Sequence, residues 1–197
     1  MQFPQETRLH PVAHLVSHLI AFGVIVLENR NFKTVINDKY MGTVLRKKGK
    51  LLTNYHALTH PSQPNYLAMI VNADQLQTDI NNKDVPQYFF YSPNINNDGH
   101  DTNAKTASDW LQGFIEPLLA NPYFKNTVFL ITFDENEWLL PWFNDNQIYS
   151  LLVGGPVAPN TSDNTKYTHY SQLATIEARW GLGSLGQGDA LANPFNI

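Results

Sequence analysis

Residues 127–137 read TVFLITFDENE and give the clearest strand signal in the chain. Seven consecutive apolar or β-branched residues predict a strand that is buried on both faces, as in parallel sheets. Apolar runs at 22–27 and 88–91 have the same character, and helical patterns lie between the three. We therefore predict an α/β fold with a mostly parallel, doubly wound sheet and helices on both faces.

The other elements follow from periodicity and from stop signals. The strongest amphipathic helix is predicted at 104–120, where Trp110, Leu111, Phe114 and Ile115 recur on one face. We also predict strands at 50–57 and 148–153, and helices at 34–48, 64–70 and 169–180. Residues 1–20 are treated as an unassigned N-terminal extension, and 1–197 as a single domain.

Composition excludes several classes of protein. The net charge of −4 disfavours a nucleic-acid module, and we expect no nucleic-acid partner. No run approaches the roughly 18 apolar residues of a membrane span, so we expect no stable membrane insertion. The chain has no cysteine, so a metal would need oxygen and imidazole ligands. The sequence does not determine the oligomeric state.

Polar side chains follow two of the predicted strands, with Glu28-Asn29 after the first and Asp134-Glu135 after the strand at 127–133. Ligands bind where the carboxyl ends of parallel strands meet, so we expect these residues to converge. Carboxylates that converge repel one another, and a cation is the usual remedy. Alternatively, each is a helix N-terminal carboxylate, stabilised by about 0.3–1 kcal/mol. The expected cofactor is one or more divalent ions: Mg, Ca, Mn or Zn.

A turn at 55–66, YHALTHPSQPNY, places Ser62 between two prolines. A serine at a strand-to-helix junction can be a nucleophile, and it can equally be a helix cap. Coordination to a divalent ion would favour the first reading, because it stabilises the alkoxide. His56, His60 and His100 are candidates to contact a phosphate or to protonate a leaving group, although any one of them can be purely structural.

Four motifs occur in a specific order: ENRNF at 28–32, THPSQPNY at 59–66, PNINNDGHD at 93–101 and TFDEN at 132–136. His169-Tyr170-Ser171 with Thr175-Ile176-Glu177 extends the set. In this order they resemble the phosphoesterase family of acid phosphatases and phospholipases C, within the alkaline-phosphatase superfamily. The likeness is greatest to fungal phosphate-repressible acid phosphatases, which implies a small-molecule phosphate ester as substrate.

The resemblance implies a role for each matching position. Ser62 would be the nucleophile and form a phosphoserine intermediate, and His100 would contact the substrate or the leaving group. We expect His60, Asn65 and His56 to bind substrate. His169 lies in a matching motif to which no role is assigned. The metal ligands would be Glu28, Asn29, Ser62, Asp134 and Glu135.

The chain departs from the family pattern after the serine turn. Family members carry a long insertion before the strand at 88–91, whereas here we predict a shortened connection near 70–87. Residues 1–20 contain Glu6 and His10 and are not a clean signal peptide, although the resemblance implies a secreted or cell-wall protein. Three functions stay open: an acid phosphatase acting on phosphate monoesters, a phospholipase C-like phosphodiesterase, and an inactive relative that only binds phosphate or metal.

Overall fold

The computed structural model describes residues 21–62, 65, 76–137 and 145–197. Its strands are β1 Ala21–Leu27, β2 Gly49–Leu52, β3 Tyr55–His56, β4 Tyr88–Tyr91, β5 Thr127–Phe133, β6 Ser150–Gly154, β7 Thr161–Asp163 and β8 Tyr167–Thr168. Within the described residues six of these strands form one sheet in the order β4-β1-β5-β6-β2-β7, and five of the six run in the same direction. Only β6 is antiparallel to its neighbours. The predicted α/β fold with a mostly parallel sheet is confirmed. The remaining two strands, β3 and β8, pair with each other in a separate two-stranded sheet.

The centre of the sheet is the parallel pair β1 and β5. All seven residues of each strand are buried, which explains their continuous apolar sequence. The register runs from Ala21 opposite Thr127 to Leu27 opposite Phe133. Both strands therefore end at the same level, and the residues that follow them emerge side by side at one edge.

The helices match the predictions unevenly. α3, at Ala104–Ala120, has the predicted bounds, and the side chain of Asn103 caps it by accepting from the Thr106 amide at 3.0 Å. α4, at Tyr170–Trp180, ends at Gly181, whose φ of 67° is left-handed. The other helices are α1 Phe32–Val35 and α2 Leu76–Asn82, with 3₁₀ turns at Pro122–Phe124 and Gly188–Leu191.

Two predicted elements are wrong in detail. The helix expected at 34–48 is divided into α1, a π turn at Tyr40–Val44 and a 3₁₀ turn at Leu45–Lys48. The Asp38 carboxylate causes the division, because it accepts from the Tyr40 and Met41 amides and starts a new turn. The strand expected at 50–57 is interrupted after Leu52 by a turn at residues 53 and 54, and it resumes as β3.

Other predictions fall partly or wholly outside the described residues. These are the helix at 64–70, the shortened connection near 70–87 and the N-terminal extension at 1–20. The strand expected at 148–153 begins two residues later, after an isolated bridge between Ile148 and Asn31. No helix of the described ranges is long and apolar enough to cross a membrane.

We predict that Gly49→Ala destabilises the protein by about 1–3 kcal/mol, because a Cβ at Gly49 would lie 2.1 Å from the Leu152 carbonyl oxygen of the neighbouring strand. Gly113→Ala is the matched control, since a Cβ there meets nothing within 4 Å on an exposed helix position, and it should stabilise by up to about 1 kcal/mol. Urea unfolding of both variants measures the difference. Equal effects would show that β2 and β6 do not approach so closely.

Candidate active site

Two turns at the carboxyl ends of β1 and β5 form the base of the site. The Asp134 amide donates to the Leu27 carbonyl at 2.9 Å, which extends the pairing of the two strands by one residue. The Asn29 amide then donates to Asp134 Oδ1 at 3.0 Å. Asn29 has a φ of 54°, a left-handed conformation that asparagine adopts more easily than most residues. The structure therefore brings Glu28-Asn29 against Asp134-Glu135, as the sequence predicted.

The serine turn lies against the end of β5. The Ser62 hydroxyl donates to Glu135 Oε1 at 2.7 Å, and His60 Nδ1 contacts the other oxygen of the same carboxylate. Asn146, which is buried, joins the two segments. Its amide nitrogen donates to the Thr59 carbonyl at 3.2 Å, and its oxygen accepts from the Asn136 amide at 3.0 Å. Ser62 and His60 are thus placed with the predicted metal ligands.

Two residues that we predicted to bind substrate have structural partners. Asn65 is fully buried, and its side-chain oxygen accepts from the Leu58 amide at 2.9 Å while its nitrogen donates to the Thr59 carbonyl at 2.8 Å. Both ends of the amide are engaged with backbone, so Asn65 holds the shape of the turn, and its contact with substrate stays a prediction.

His56 also has structural partners. Its Nδ1 donates to the Asp145 carbonyl at 2.7 Å, and its Nε2 lies 2.8 Å from the Asn54 side-chain oxygen. Both ring nitrogens are engaged, on the strand that precedes the turn. In this structure His56 therefore links two loops, and its contact with substrate stays a prediction.

The loop after β4 contributes a residue that the sequence reasoning missed. Asp98 is buried, its carbonyl accepts from the Glu28 amide at 2.9 Å, and its carboxyl group is hydrogen bonded to that of Glu28. Its Oδ1 also accepts from the His100 amide at 2.8 Å. The available signal was its position in the PNINNDGHD motif, where an aspartate before glycine is typical of a turn. His100 lies at the exposed rim, with Nδ1 donating to Asp101 at 2.9 Å.

Two carboxyl groups of the site, those of Glu28 and Asp134, have raised pKa values and so favour the protonated form. Burial, then the nearby Asp134 and Asp98, raises the pKa of Glu28 to about 7. Burial also raises the pKa of Asp134 to about 6, although the hydrogen bond from the Asn29 amide opposes the rise. The hydrogen bond to Asp101 raises the pKa of His100. Because the pKa values of Glu28 and Asp134 are raised, the site favours the binding of positive charge, either as protons or as a cation.

The donors available for a cation are oxygen atoms. Asn29 Oδ1 and Asp134 Oδ2 are buried and have no hydrogen-bond partner among the described residues, although buried polar atoms are normally paired. Oxygen ligands of this kind suit magnesium, calcium or manganese. In the described ranges no three His, Asp or Glu side chains are already arranged as a metal centre.

His169 supports Asp134 from inside the protein. It is fully buried, its Nε2 donates to the Asp134 carbonyl at 2.7 Å, and its Nδ1 accepts from the Tyr55 hydroxyl at 3.2 Å. Burial lowers the pKa of His169 to about 4, so the neutral ring keeps both bonds in mildly acidic solution. The matching motif around His169 thus has a structural reason, which the sequence did not reveal.

Comparison of the sequence with known proteins assigns the chain to a family. Residues 70–183, more than half of the chain, match the model of the Phosphoesterase family. The chain belongs to the phosphoesterase family. Its relatives include a probable acid phosphatase of Kluyveromyces lactis and an acid phosphatase of Aspergillus niger, each 31% identical over 89% of this chain. A phosphate-repressible acid phosphatase of Penicillium chrysogenum is 30% identical over 87% of it.

The chain spans about three fifths of the length of these phosphoesterases, 62% for the first two and 61% for the third. The first alignment runs over 263 residues, more than the whole chain contains, so that relative carries residues within the matched region that are missing here. Among solved structures, a protein of the alkaline phosphatase superfamily from Vibrio parahaemolyticus has a TM-score of 0.60 at 9% identity, over 81% of this chain and 66% of that protein. The predicted family is confirmed, and the fold is similar to that of the Vibrio protein.

We predict that His169 makes the fold less stable as the solution becomes more acidic. Its folded pKa of about 4 lies below the ordinary value of 6.5, so the unfolded chain binds more protons between these values. The stability that the neutral ring provides is complete above pH 6.5 and falls by up to about 3 kcal/mol on the way to pH 4. Glu28 and Asp134 titrate in the same range, so the effect must be isolated by comparison.

Unfolding free energies of the native protein and of His169→Gln, measured from pH 7 to pH 4, give that comparison. The difference between the two proteins should shrink as the pH falls, because glutamine has no proton to gain. A difference that stays constant with pH would contradict a neutral, buried His169.

Proposed function

We propose that this phosphoesterase is a metal-dependent acid phosphatase that hydrolyses phosphate monoesters through a phosphoserine at Ser62. The observation that carries the proposal is the convergence at Glu135. The hydroxyl of Ser62 and the ring of His60 both contact this carboxylate, next to the unpartnered oxygens of Asn29 and Asp134. The relatives named as acid phosphatases support the same reaction.

The chain's own residues account for the first half of the reaction. The Ser62 hydroxyl releases its proton towards Glu135, which already accepts from it, and the oxygen bonds to phosphorus as the bond to the leaving group breaks. His100 donates a proton to the departing oxygen, and its raised pKa keeps it protonated in mildly acidic solution. In the second half, a water oxygen bonds to phosphorus while His100 takes up the proton of that water. The bond between phosphorus and the Ser62 oxygen breaks, and the serine oxygen recovers its proton from Glu135.

A divalent cation fits the donor chemistry of this edge. Glu28, Asn29, Asp134 and Glu135 would hold it, together with the Ser62 oxygen. When bound, such an ion stabilises negative charge on the serine oxygen and on the phosphoryl group. The protein groups set the condition for binding, because Glu28 and Asp134 must release their protons first. Export from the cell remains a prediction that rests on the likeness to the fungal enzymes.

A second candidate function is binding of phosphate or metal without turnover. The observation in its favour is that a relative carries residues within the matched region that this chain lacks. Missing residues could remove contacts to the substrate while leaving the edge formed by β1 and β5 complete. This candidate predicts metal binding with no hydrolysis of either phosphate monoesters or diesters.

We predict that Ser62→Ala abolishes release of nitrophenol from nitrophenyl phosphate, because the nucleophile is lost. Ser162→Ala is the matched control, since Ser162 is exposed on β7 at the far edge of the sheet, and it should keep full activity. Activity that survives in Ser62→Ala would contradict the proposal. The diester bis(nitrophenyl) phosphate, assayed in parallel, tests the phosphodiesterase alternative, which requires the diester to be the better substrate.

We predict that magnesium, calcium or manganese raises the melting temperature at pH 7 and raises it less at pH 5. At pH 5 the pKa values of about 7 and 6 keep Glu28 and Asp134 protonated, so the ion competes with protons. At an ion concentration of a hundred times Kd, binding raises the free energy of unfolding by about 2.7 kcal/mol. Each kcal/mol raises the melting temperature by about 2–4 °C. Glu28→Gln should lose the effect, and sodium chloride of equal ionic strength is the control. An equal shift in Glu28→Gln would refute the assigned ligands.

A further inference from the structure

Arg30 links the three segments that form the site. One terminal nitrogen, Nη2, donates to the Thr102 carbonyl at 2.8 Å and also to the Gly99 carbonyl. The other, Nη1, forms an ion pair with Glu137, which lies just beyond the end of β5. The side chain is only 15% exposed, so these contacts are sheltered from solvent. One guanidinium thus connects the turn after β1, the loop after β4 and the segment after β5.

The position of Glu137 is itself fixed from two sides. Asn31 donates to its Oε2 at 2.8 Å, while Arg30 occupies Oε1. Both partners come from the turn that follows β1, so the carboxylate is held in one orientation. The planar guanidinium of arginine supplies several donors in a rigid fork, which a lysine ammonium cannot reproduce. The geometry therefore requires arginine rather than a positive charge alone.

The two carbonyls that Arg30 binds lie on either side of His100 in the sequence. Gly99 precedes it, and Thr102 follows it by two residues. Gly99 has a φ of 107°, and a Cβ at this position would lie 3.1 Å from the Glu28 carbonyl oxygen. The loop therefore packs closely on the end of β1, and Arg30 fixes its backbone on both sides of the histidine.

We propose that Arg30 is a positioning residue for His100, acting through the Gly99 and Thr102 carbonyls without touching the substrate. The inference rests on the function proposed above, in which His100 protonates the leaving oxygen. His100 is at the rim, with its side chain 40% exposed, so its own contacts restrain it less than a buried group is restrained. The anchored backbone supplies the missing restraint, which proton transfer needs for correct geometry.

The reaction offers a readout that general loss of stability would not produce. Proton donation matters most when the leaving group is a poor one, such as an alkyl alcohol, and little when nitrophenolate departs as a stable anion. Mispositioning of His100 should therefore lower turnover of an alkyl phosphate selectively. A protein that is merely less folded would lose turnover of both substrates in the same proportion.

The test compares Arg30→Lys with the native protein on glycerol phosphate and on nitrophenyl phosphate. We expect kcat for glycerol phosphate to fall about 10- to 100-fold, part of the 10²–10⁴-fold that general acid catalysis contributes, while kcat for nitrophenyl phosphate changes less than about threefold. His100→Asn should show the same selectivity, and the double variant should lose no more than His100→Asn alone. Arg179→Lys, at another arginine bonded to a backbone carbonyl, is the control and should behave as the native protein.

Equal losses on both substrates, or additive losses in the double variant, would overturn the proposal. Amide hydrogen exchange gives a second measurement that needs no activity. The His100 amide, which donates to Asp98, should exchange about tenfold faster or more in Arg30→Lys, and unchanged exchange would overturn the positioning role. If the native protein hydrolyses neither substrate, the proposed function fails, and the exchange result alone decides whether Arg30 positions His100.

Discussion

The structure of the site depends on the register between β1 and β5. Because Leu27 lies opposite Phe133, the chain leaves both strands at the same level, and Asp134 extends the pairing by one hydrogen bond to Leu27. A shift of one residue would turn the side chains of either strand to the other face. The fully buried strands prevent that shift, since it would have to repack apolar side chains on both faces of the sheet. The core therefore fixes the spacing of the polar residues that follow.

As a consequence, several acidic side chains lie close together and are largely shielded from solvent. Glu28, Asp98, Asp134 and Glu135 lie at one edge, and burial raises the pKa of two of them. Such a grouping opposes folding when the groups are ionised, so it is retained only where something compensates for it. Protons do so in acidic solution, and a divalent cation would do so at higher pH. The proposed chemistry uses the same feature that makes the edge unfavourable on its own.

The sequence predicted what depends on local pattern. Continuous apolar runs identified β1, β4 and β5, and the spacing of Trp110 to Leu119 gave α3 with its observed ends. The convergence of Glu28-Asn29 with Asp134-Glu135 also followed, because it needs only the parallel sheet. Family membership came from the order of the motifs.

The sequence could not predict which side chains form hydrogen bonds with which backbone groups. Asn65 and His56 look like ligands in their motif, yet Asn65 bonds within its own turn and His56 bonds to a loop that the fold brings near. From the sequence Asp98 is a turn residue, whereas in the structure its carboxyl group is hydrogen bonded to that of Glu28. Asp38 divides a helix whose periodicity appears continuous, by competing for two backbone amides. In each case the deciding hydrogen bond joins groups whose pairing no periodic pattern encodes.

The central claim is that Ser62 carries the phosphoryl group during turnover. Mass spectrometry of peptides from protein that is quenched in acid during hydrolysis of nitrophenyl phosphate tests it most directly. The account predicts a peptide that contains Ser62 with the added mass of one phosphoryl group, absent without substrate. Turnover without any phosphorylated peptide, or with the group on another residue, would contradict the account.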